Sequence, residues 1–228
     1  MTDDVVSIVI PTLNEAGVIT QLLDDLDRAR QPGDEILLVD GGSDDRTVGI
    51  ATPRVDRVLH SPRGRAAQMN TGAGVARGNY LWFLHADSRV AEGLRRQLSD
   101  CIADGVAWGR FDVRLSGRPW ALRLVERMMN LRSCLSGIAT GDQGMFVRRE
   151  VFEGVGGFPA IPLMEDIELS RRLKRRARPR CIHHPRLLTS SRRWEQRGVW
   201  RTIYLMWQLR LAYWLGSDPA ELARRYRQ

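Results

Sequence analysis

Glu35-Ile36-Leu37-Leu38-Val39-Asp40-Gly41-Gly42-Ser43-Asp44-Asp45-Arg46-Thr47 decides the fold class. The aliphatic run through Val39 is too short for a core helix and reads as a buried strand. It ends in an acid and two glycines, after which Ser43 is placed to cap a helix. Working outward, the same unit recurs. Upstream, the β-branched run Val5 to Ile10 reads as a strand closing at Pro11. Asn14 is placed to cap the helix behind it, whose apolar positions Val18, Leu22 and Leu26 are spaced by four and whose end is Gly33. Downstream come a third strand at Val55 to Leu59, a helix from about Ala66 to Ala76, and a fourth strand at Tyr80 to Leu84. This β-α alternation predicts an α/β, Rossmann-like, mainly parallel sheet with helices on both faces. Such sheets bind ligands at the carboxyl ends of their strands, here just after Ile10, Val39 and Leu84.

Beyond residue 90 the pattern loosens. A strand is expected at Val106 to Leu115, a helix at Trp120 to Leu131, a strand at Gly144 to Val147, a helix at Glu165 to Arg176 and a tryptophan-rich helix at Val199 to Leu215. With 228 residues, 43% apolar and 27% charged, one domain is expected. The acids Asp3 and Asp4 precede the first apolar run, so no secretory leader is read there. Cys101, Cys134 and Cys181 are widely spaced and odd in number, which suggests neither a disulfide framework nor a zinc knuckle and makes a reducing, cytoplasmic setting the default.

The net charge of +8 is unevenly divided: residues 1–60 hold 5 Arg and 12 Asp+Glu, whereas residues 171–228 hold 16 Lys+Arg and 3 Asp+Glu. The basic part suits phosphate groups, an anionic membrane or nucleic acid. No nucleic-acid-binding motif accompanies it. No G-x-G-x-x-G follows the first strand, which excludes a dinucleotide-binding dehydrogenase, and no lysine-bearing glycine-rich loop supports nucleotidyl transfer.

Three polar clusters fall where the sheet predicts ligands, and a fourth opens the helix expected at Glu165. Pro11-Thr12-Leu13-Asn14-Glu15 could bond a ribose or base edge, or simply open a helix. Asp40 to Thr47 packs acids behind glycines that allow close backbone approach. In Leu84-His85-Ala86-Asp87, alternation on an extended segment would aim His85 and Asp87 at one divalent cation, Mn2+ better than Mg2+. Glu165 and Asp166 either complement a helix dipole or deprotonate an acceptor hydroxyl, and spacing alone leaves both readings open.

Taken in order with Gly64 through Asn70-Thr71-Gly72 and Ala76-Arg77-Gly78, these clusters resemble the family 2 glycosyltransferases of GT-A fold over roughly residues 5–175. The resemblance implies a nucleotide-sugar donor, commonly a UDP-sugar, held by Pro11, Thr12, Glu15, Asp40, Asp44 and Arg65, with Asp40 recognising the base. It implies that Asp87 is the last acid of an Asp-x-Asp motif binding Mn2+ or Mg2+ and diphosphate, with His85 replacing the first. It implies Asp166 as catalytic base beside Glu165, and inversion at the anomeric carbon.

His-Ala-Asp, Gly141-Asp142-Gln143-Gly144 and Ser191-Arg192-Arg193-Trp194 further resemble a small bacterial subgroup of arsenosugar-type or diaponeurosporenoate-type glycosyltransferases. Asp142 and Gln143 would then face the acceptor, a small or lipid-like hydroxyl compound, and Arg192, Arg193 and Trp194 would contact substrate. Ser190 stands where processive synthases carry Gln, so polymer synthesis is not expected. The expected division is a nucleotide-sugar half at about 1–110, an acceptor half at about 111–190 and a helical extension at about 191–228. In that extension Trp200, Ile203, Trp207, Leu211 and Trp214 make one apolar stripe, interrupted by Arg201 and Arg210. Packing on the domain or a homo-oligomer face is favoured over contact with the inner face of the cell membrane. The alternative outside enzymology is a basic protein that binds nucleic acid or membrane without transferase activity.

Overall fold

A computed structural model of the chain describes residues 5–227, apart from the side chains of Arg193 and Arg227. Asp3 and Asp4, on which the leader reading rests, lie outside the described residues. The elements run β1 (Val6–Thr12), α1 (Ile19–Ala29), β2 (Glu35–Asp40), α2 (Thr47–Ala51), β3 (Arg57–His60), α3 (Arg65–Val75), β4 (Tyr80–Phe83), α4 (Leu94–Ala103) and β5 (Trp108–Leu115). They continue with α5 (Trp120–Ser136), β6 (Phe146–Arg148), α6 (Arg149–Gly154), α7 (Glu165–Lys174), β7 (Arg180–Thr189), α8 (Arg192–Arg197), α9 (Val199–Trp214) and α10 (Pro219–Arg227).

The strands form one seven-stranded sheet in the order β3-β2-β1-β4-β6-β5-β7. The β1, β2, β3 and β4 pairings are parallel, as expected, and β6 alone runs antiparallel to its neighbours β4 and β5. Alternation in β1 sends Val6, Ile8 and Ile10 to a core shared with Leu22 and Leu26 of α1 and Leu98 of α4. Val9 points to the opposite core with Met69 of α3 and Leu169 of α7. Both faces are therefore covered. Each fully buried Leu or Ile contributes about 1.5–3 kcal/mol.

Three local expectations are corrected. Pro11 does not end β1, which pairs on through Pro11 and Thr12 opposite Val39 and Asp40. Neither Asn14 nor Ser43 caps a helix: α1 begins at Ile19 and α2 at Thr47, and both side chains bond across the two loops instead. Cys134 of α5 and Cys181 of β7 are joined as a disulfide, their Cα atoms 6.0 Å apart. Their 47-residue separation gave no spacing signal, and the reducing-compartment reading loses its basis. Cys101 is free and buried.

Buried polar groups pin the sheet's amino-terminal edge. Asp34 accepts the Val6 and Gln31 N–H groups at 3.1 and 2.8 Å and a two-pronged pair from Arg95 at 2.7 and 2.8 Å. Glu35 accepts the Ser7 hydroxyl at 2.6 Å, the Arg77 N–H, and the Arg77 Nε at 3.1 Å. Ser7 Oγ in turn accepts the Gly78 N–H at 2.8 Å. A Cβ on Gly78 would lie 2.7 Å from Ser7 N, so only glycine fits this turn. Burial alone would raise the Glu35 pKa, but the bonds from Arg77 and Ser7 outweigh it and hold the carboxyl below 4.5. Its stabilising contribution is therefore complete above the ordinary glutamate value and is lost as pH falls through the lowered folded value. Glu35→Gln is expected to be less stable than the parent near neutrality, with the gap narrowing steadily below about pH 4 in urea titrations.

Candidate active site

The loops after β1 and β2 are fastened to each other. Asn14, in the left-handed region at φ 57, donates its N–H to Ser43 Oγ at 2.9 Å, and its side-chain oxygen accepts the Asp44 N–H at 3.0 Å. The Glu15 and Ala16 N–H groups donate to Thr47 Oγ1 and Asp45 Oδ2 at 2.8 and 3.0 Å. Beneath them Gln68 of α3 donates Nε2 to both Thr12 O and Val39 O at 2.8 Å. Asn70 of the same helix clamps Phe158 by two bonds of 2.8 and 3.0 Å. A wall of backbone is thus held open at the carboxyl ends of β1 and β2.

Asp40 is buried, and its carboxylate accepts the Gly42 and Ser43 N–H groups at 2.9 and 3.0 Å and the Ser43 hydroxyl. Burial would raise its pKa, but these bonds, helped by His60, lower it. What it visibly does is shape the loop. Asp44 is exposed, Pro11 half-buried and Thr12 buried at the carboxyl end of β1.

Glu15, Asp87, Asp142 and Asp166 lie within electrostatic reach of one another in succession, and Glu165 feels the charge of Asp166. Glu15 is raised first by burial and then by the charge of Asp87, against the pull of Arg192 and Arg65. Asp87 is raised by burial and by Asp142, against Arg65 and Arg192. Burial and then the Asp166 charge push Glu165 up to about 7, and burial likewise raises Asp166. Crowded, desolvated carboxylates that resist ionisation cluster more often at functional sites than elsewhere.

Asp166 opens α7, where Oδ2 accepts the Gly141 N–H at 2.8 Å and Oδ1 accepts the Ile167 N–H at 2.7 Å. A Cβ on Gly141 would lie 2.8 Å from His85 Nε2, so glycine lets the strand-four loop and α7 meet. The preceding Met164 sits in the left-handed region at φ 69. Its side chain is buried with Leu209 of α9 and Leu222 of α10.

The His85–Asp87 segment is a turn closed by Ser88 N–H to His85 O at 3.0 Å, not the extended run expected. His85 and Asp87 are nonetheless both half-buried, with Ala86 and Ser88 fully buried between and after them. Arg65 Nη2 lies 3.4 Å from His85 Nδ1. Among the described residues no three His, Cys, Asp or Glu groups are grouped to hold a metal by themselves. The donor set still fits a cation that completes its shell from phosphate oxygens and water, because Asp87 is crowded by like charge and Asp142 Oδ1 is buried with no partner among the described residues.

The remaining sequence-predicted residues divide. Arg192 reaches the cluster. Gln143 is fully buried and its carbonyl caps Thr140 N at 3.0 Å, so it shapes the turn rather than facing the cleft. Trp194 packs with Leu115, Leu122 and Val125. The Arg193 side chain lies outside the described residues.

One residue was missed. Arg132 of α5 is largely buried, its Nε and Nη2 have no partner among the described residues, and burial and then Arg210 lower it to about 10 while Asp142 and Asp166 oppose that shift. It brings a cation within electrostatic reach of Asp142 and Asp166. On a helix of mixed pattern, nothing in its spacing signals this.

The arrangement has known counterparts. A PGL/p-HBAD biosynthesis glycosyltransferase of Mycobacterium bovis (strain BCG / Pasteur 1173P2) is 40% identical over 93 residues, 38% of this chain and 36% of that protein. The chain thus spans little more than a third of the length of that relative. The structure of TarS 1-349 from S. aureus in complex with UDP is similar at a TM-score of 0.66 and 17% identity, covering 81% of this chain and 60% of that one. Mannosyltransferase PcManGT from Pyrobaculum calidifontis, in complex with GDP-Man and Mn2+, is similar at a TM-score of 0.65 and 22% identity, covering 97% and 68%. The fold is the GT-A arrangement of these neighbours. The profile of Glycosyl transferase family 2 matches residues 7–156, from β1 through α6, and the chain belongs to that family.

Proposed function

We propose that the protein transfers a hexose or similar sugar from a UDP-sugar to a hydroxyl acceptor, small or lipid-like, in one displacement that inverts the anomeric carbon. The observation that carries this reading is the meeting of Glu15, Asp87, Asp142, Glu165 and Asp166, with Arg65 and Arg192 among them, at the strand ends. Pro11, Thr12, Glu15, Asp40 and Asp44 line the side where the nucleoside would lie. The UDP held by the staphylococcal neighbour favours UDP, and the GDP-Man and Mn2+ held by the Pyrobaculum neighbour favour a metal-assisted donor site of the same build.

Asp87 and His85 would hold the divalent cation, Mn2+ or Mg2+, which offsets the charge of the diphosphate leaving group. Arg65 and Arg192 pair with phosphate oxygens from the flanks. Asp166 takes the proton of the acceptor hydroxyl, a role suited by a carboxyl whose pKa lies above the ordinary range. Gly141 N–H fixes its orientation, and Glu165 shares its charge. Asp142 and Arg132 face the acceptor. The His-Ala-Asp and Gly-Asp-Gln-Gly signatures support a place among the small arsenosugar-type or diaponeurosporenoate-type members.

Calorimetry with UDP, GDP and ADP, with and without Mn2+, tests the donor reading. UDP is expected to bind best and to need the metal. No binding of any nucleotide diphosphate in either condition would sink the proposal. Asp87→Ala is expected to abolish the metal-dependent part of the UDP affinity, about tenfold or more, with the thermal midpoint unchanged. Metal-dependent binding at the parent level in that variant would move the cation elsewhere.

A further inference from the structure

Of the stripe expected along α9, Ile203 packs on the domain with Leu115, Leu122 and Val125, but the tryptophans do not. The helix is held through Thr202 and Leu209, whereas Trp200, Trp207 and Trp214 are 63%, 64% and 71% exposed. Tyr204 and Leu211 complete the exposed stripe at helical steps of three and four.

A second stripe, not legible beforehand, runs along α5. Trp120, Leu131 and Leu135 are 73%, 61% and 79% exposed, with Leu124 and Met128 between them. The two helices are neighbours: Leu122, Val125 and Met129 of α5 share one cluster with Val199 and Ile203 of α9. Arg132 and Arg210 also sense each other across the pair. Two adjacent helices thus offer water an apolar surface far larger than scattered surface residues would make.

The charges on these helices decide the occupant. Residues 199–214 contain no acid, only Arg201 and Arg210. In α5 the single acid, Glu126, is buried and held by Arg123 at 2.8 Å and by the Leu115 N–H, while Arg127 is exposed. A second copy docked on the same faces would set arginine against arginine with no acid to offset it. Nucleic acid would answer the arginines but leave the Leu and Met side chains wet. An anionic bilayer answers both. Its phosphates pair with guanidinium, its acyl boundary takes the aliphatic groups, and Trp and Tyr favour the level between. Among the described residues no helix is long and apolar enough to cross a membrane, so the helices would lie on it.

We propose that α5 and α9 together form a platform that seats the protein on an anionic lipid surface. The platform is one packing layer from the catalytic pair, since Leu209 of α9 packs on Met164, the residue before Glu165. That the bilayer also supplies a lipid-like acceptor rests on the transfer reading above; binding to lipid does not.

The test uses the full chain with vesicles of phosphatidylcholine alone and of phosphatidylcholine containing phosphatidylglycerol. Partition onto the anionic vesicles is expected to be about tenfold stronger or more and to weaken with added salt. Brominated acyl chains are expected to quench the tryptophan emission of the unaltered protein, which reports insertion without any substitution. Leu131→Glu combined with Trp207→Glu, both exposed positions, is expected to lower partition about tenfold or more while UDP binding is retained. Failure to partition onto anionic vesicles, or partition without quenching, overturns the platform. So does a dimer in sedimentation that the double variant dissolves, which would give the surface to a second copy. UDP binding in the same samples tells a failed platform from a failed transferase.

Discussion

Asp166→Asn is expected to lower transfer by about a thousandfold while leaving UDP affinity at the parent level, because in the proposed mechanism it removes a proton acceptor and little else. The carboxylate is fixed at both oxygens by the Gly141 and Ile167 N–H groups. Asparagine has the same shape and keeps one of these acceptors, so α7 and the Gly141 turn should hold their places. The burial that raises the Asp166 pKa acts against a charge that the amide does not carry, so the fold has no electrostatic reason to weaken. Single-turnover transfer measured beside calorimetry separates chemistry from binding. Transfer at the parental rate would assign the base elsewhere, with Glu165 first in line and Asp142 second. The informative control is Glu165→Gln, which leaves Asp166 in place but removes the neighbour that shares its charge.

Asp34→Ala will destabilise the protein by about 3–5 kcal/mol, the usual cost of breaking a buried, hydrogen-bonded ion pair from one side. Arg95 and Asp34 are both almost fully buried, at 2% and 0% side-chain exposure. Without the carboxylate, the Arg95 charge stays in the interior with Ser99 Oγ at 2.6 Å among its neutral partners, and the Val6 and Gln31 N–H groups lose their acceptor. Against a typical total stability of about 5–15 kcal/mol this is a large fraction. Urea unfolding of Asp34→Ala and of Asp34→Leu with Arg95→Met measures it. The double variant should recover much of the loss, since apolar groups of similar volume replace buried pairs at little net cost. Equal destabilisation in both would show that packing rather than charge dominates there.

The parallel half of the sheet was readable because β1, β2 and β4 are buried on both faces and therefore nearly continuous in aliphatic and aromatic residues. β7 was not. Arg-Cys-Ile-His-His-Pro-Arg-Leu-Leu-Thr lies at the sheet edge with mixed exposure, so neither alternation nor a continuous run survives in it. α4 hides for a related reason: its buried positions include Arg95, whose partner lies 61 residues away.

The same distinction holds in the cleft. Glu15 and Asp87 announce themselves because sheet topology dictates where acids matter, whereas Asp166, on a helix, is marked only by the family resemblance. Arg132 reaches the acids only through the packing of α5 on β5, and the Cys134–Cys181 bond forms only because β7 pairs beside β5. Gln143 is assigned to the acceptor only through the subgroup resemblance of the Gly-Asp-Gln-Gly turn; here its side chain turns back to cap the turn.

The burial of Met164 beneath α9 and α10 fixes where this protein can be divided. A fragment ending with the matched family region at residue 156 would lack both Glu165 and Asp166. One ending at Gly198 would keep them but strip Leu209 and Leu222 from Met164, a left-handed residue that needs its surroundings to hold it. Any exchange of this part of the chain between relatives therefore requires grafting residues 157–227 as one block, with the seam in the Gly156-Gly157 turn.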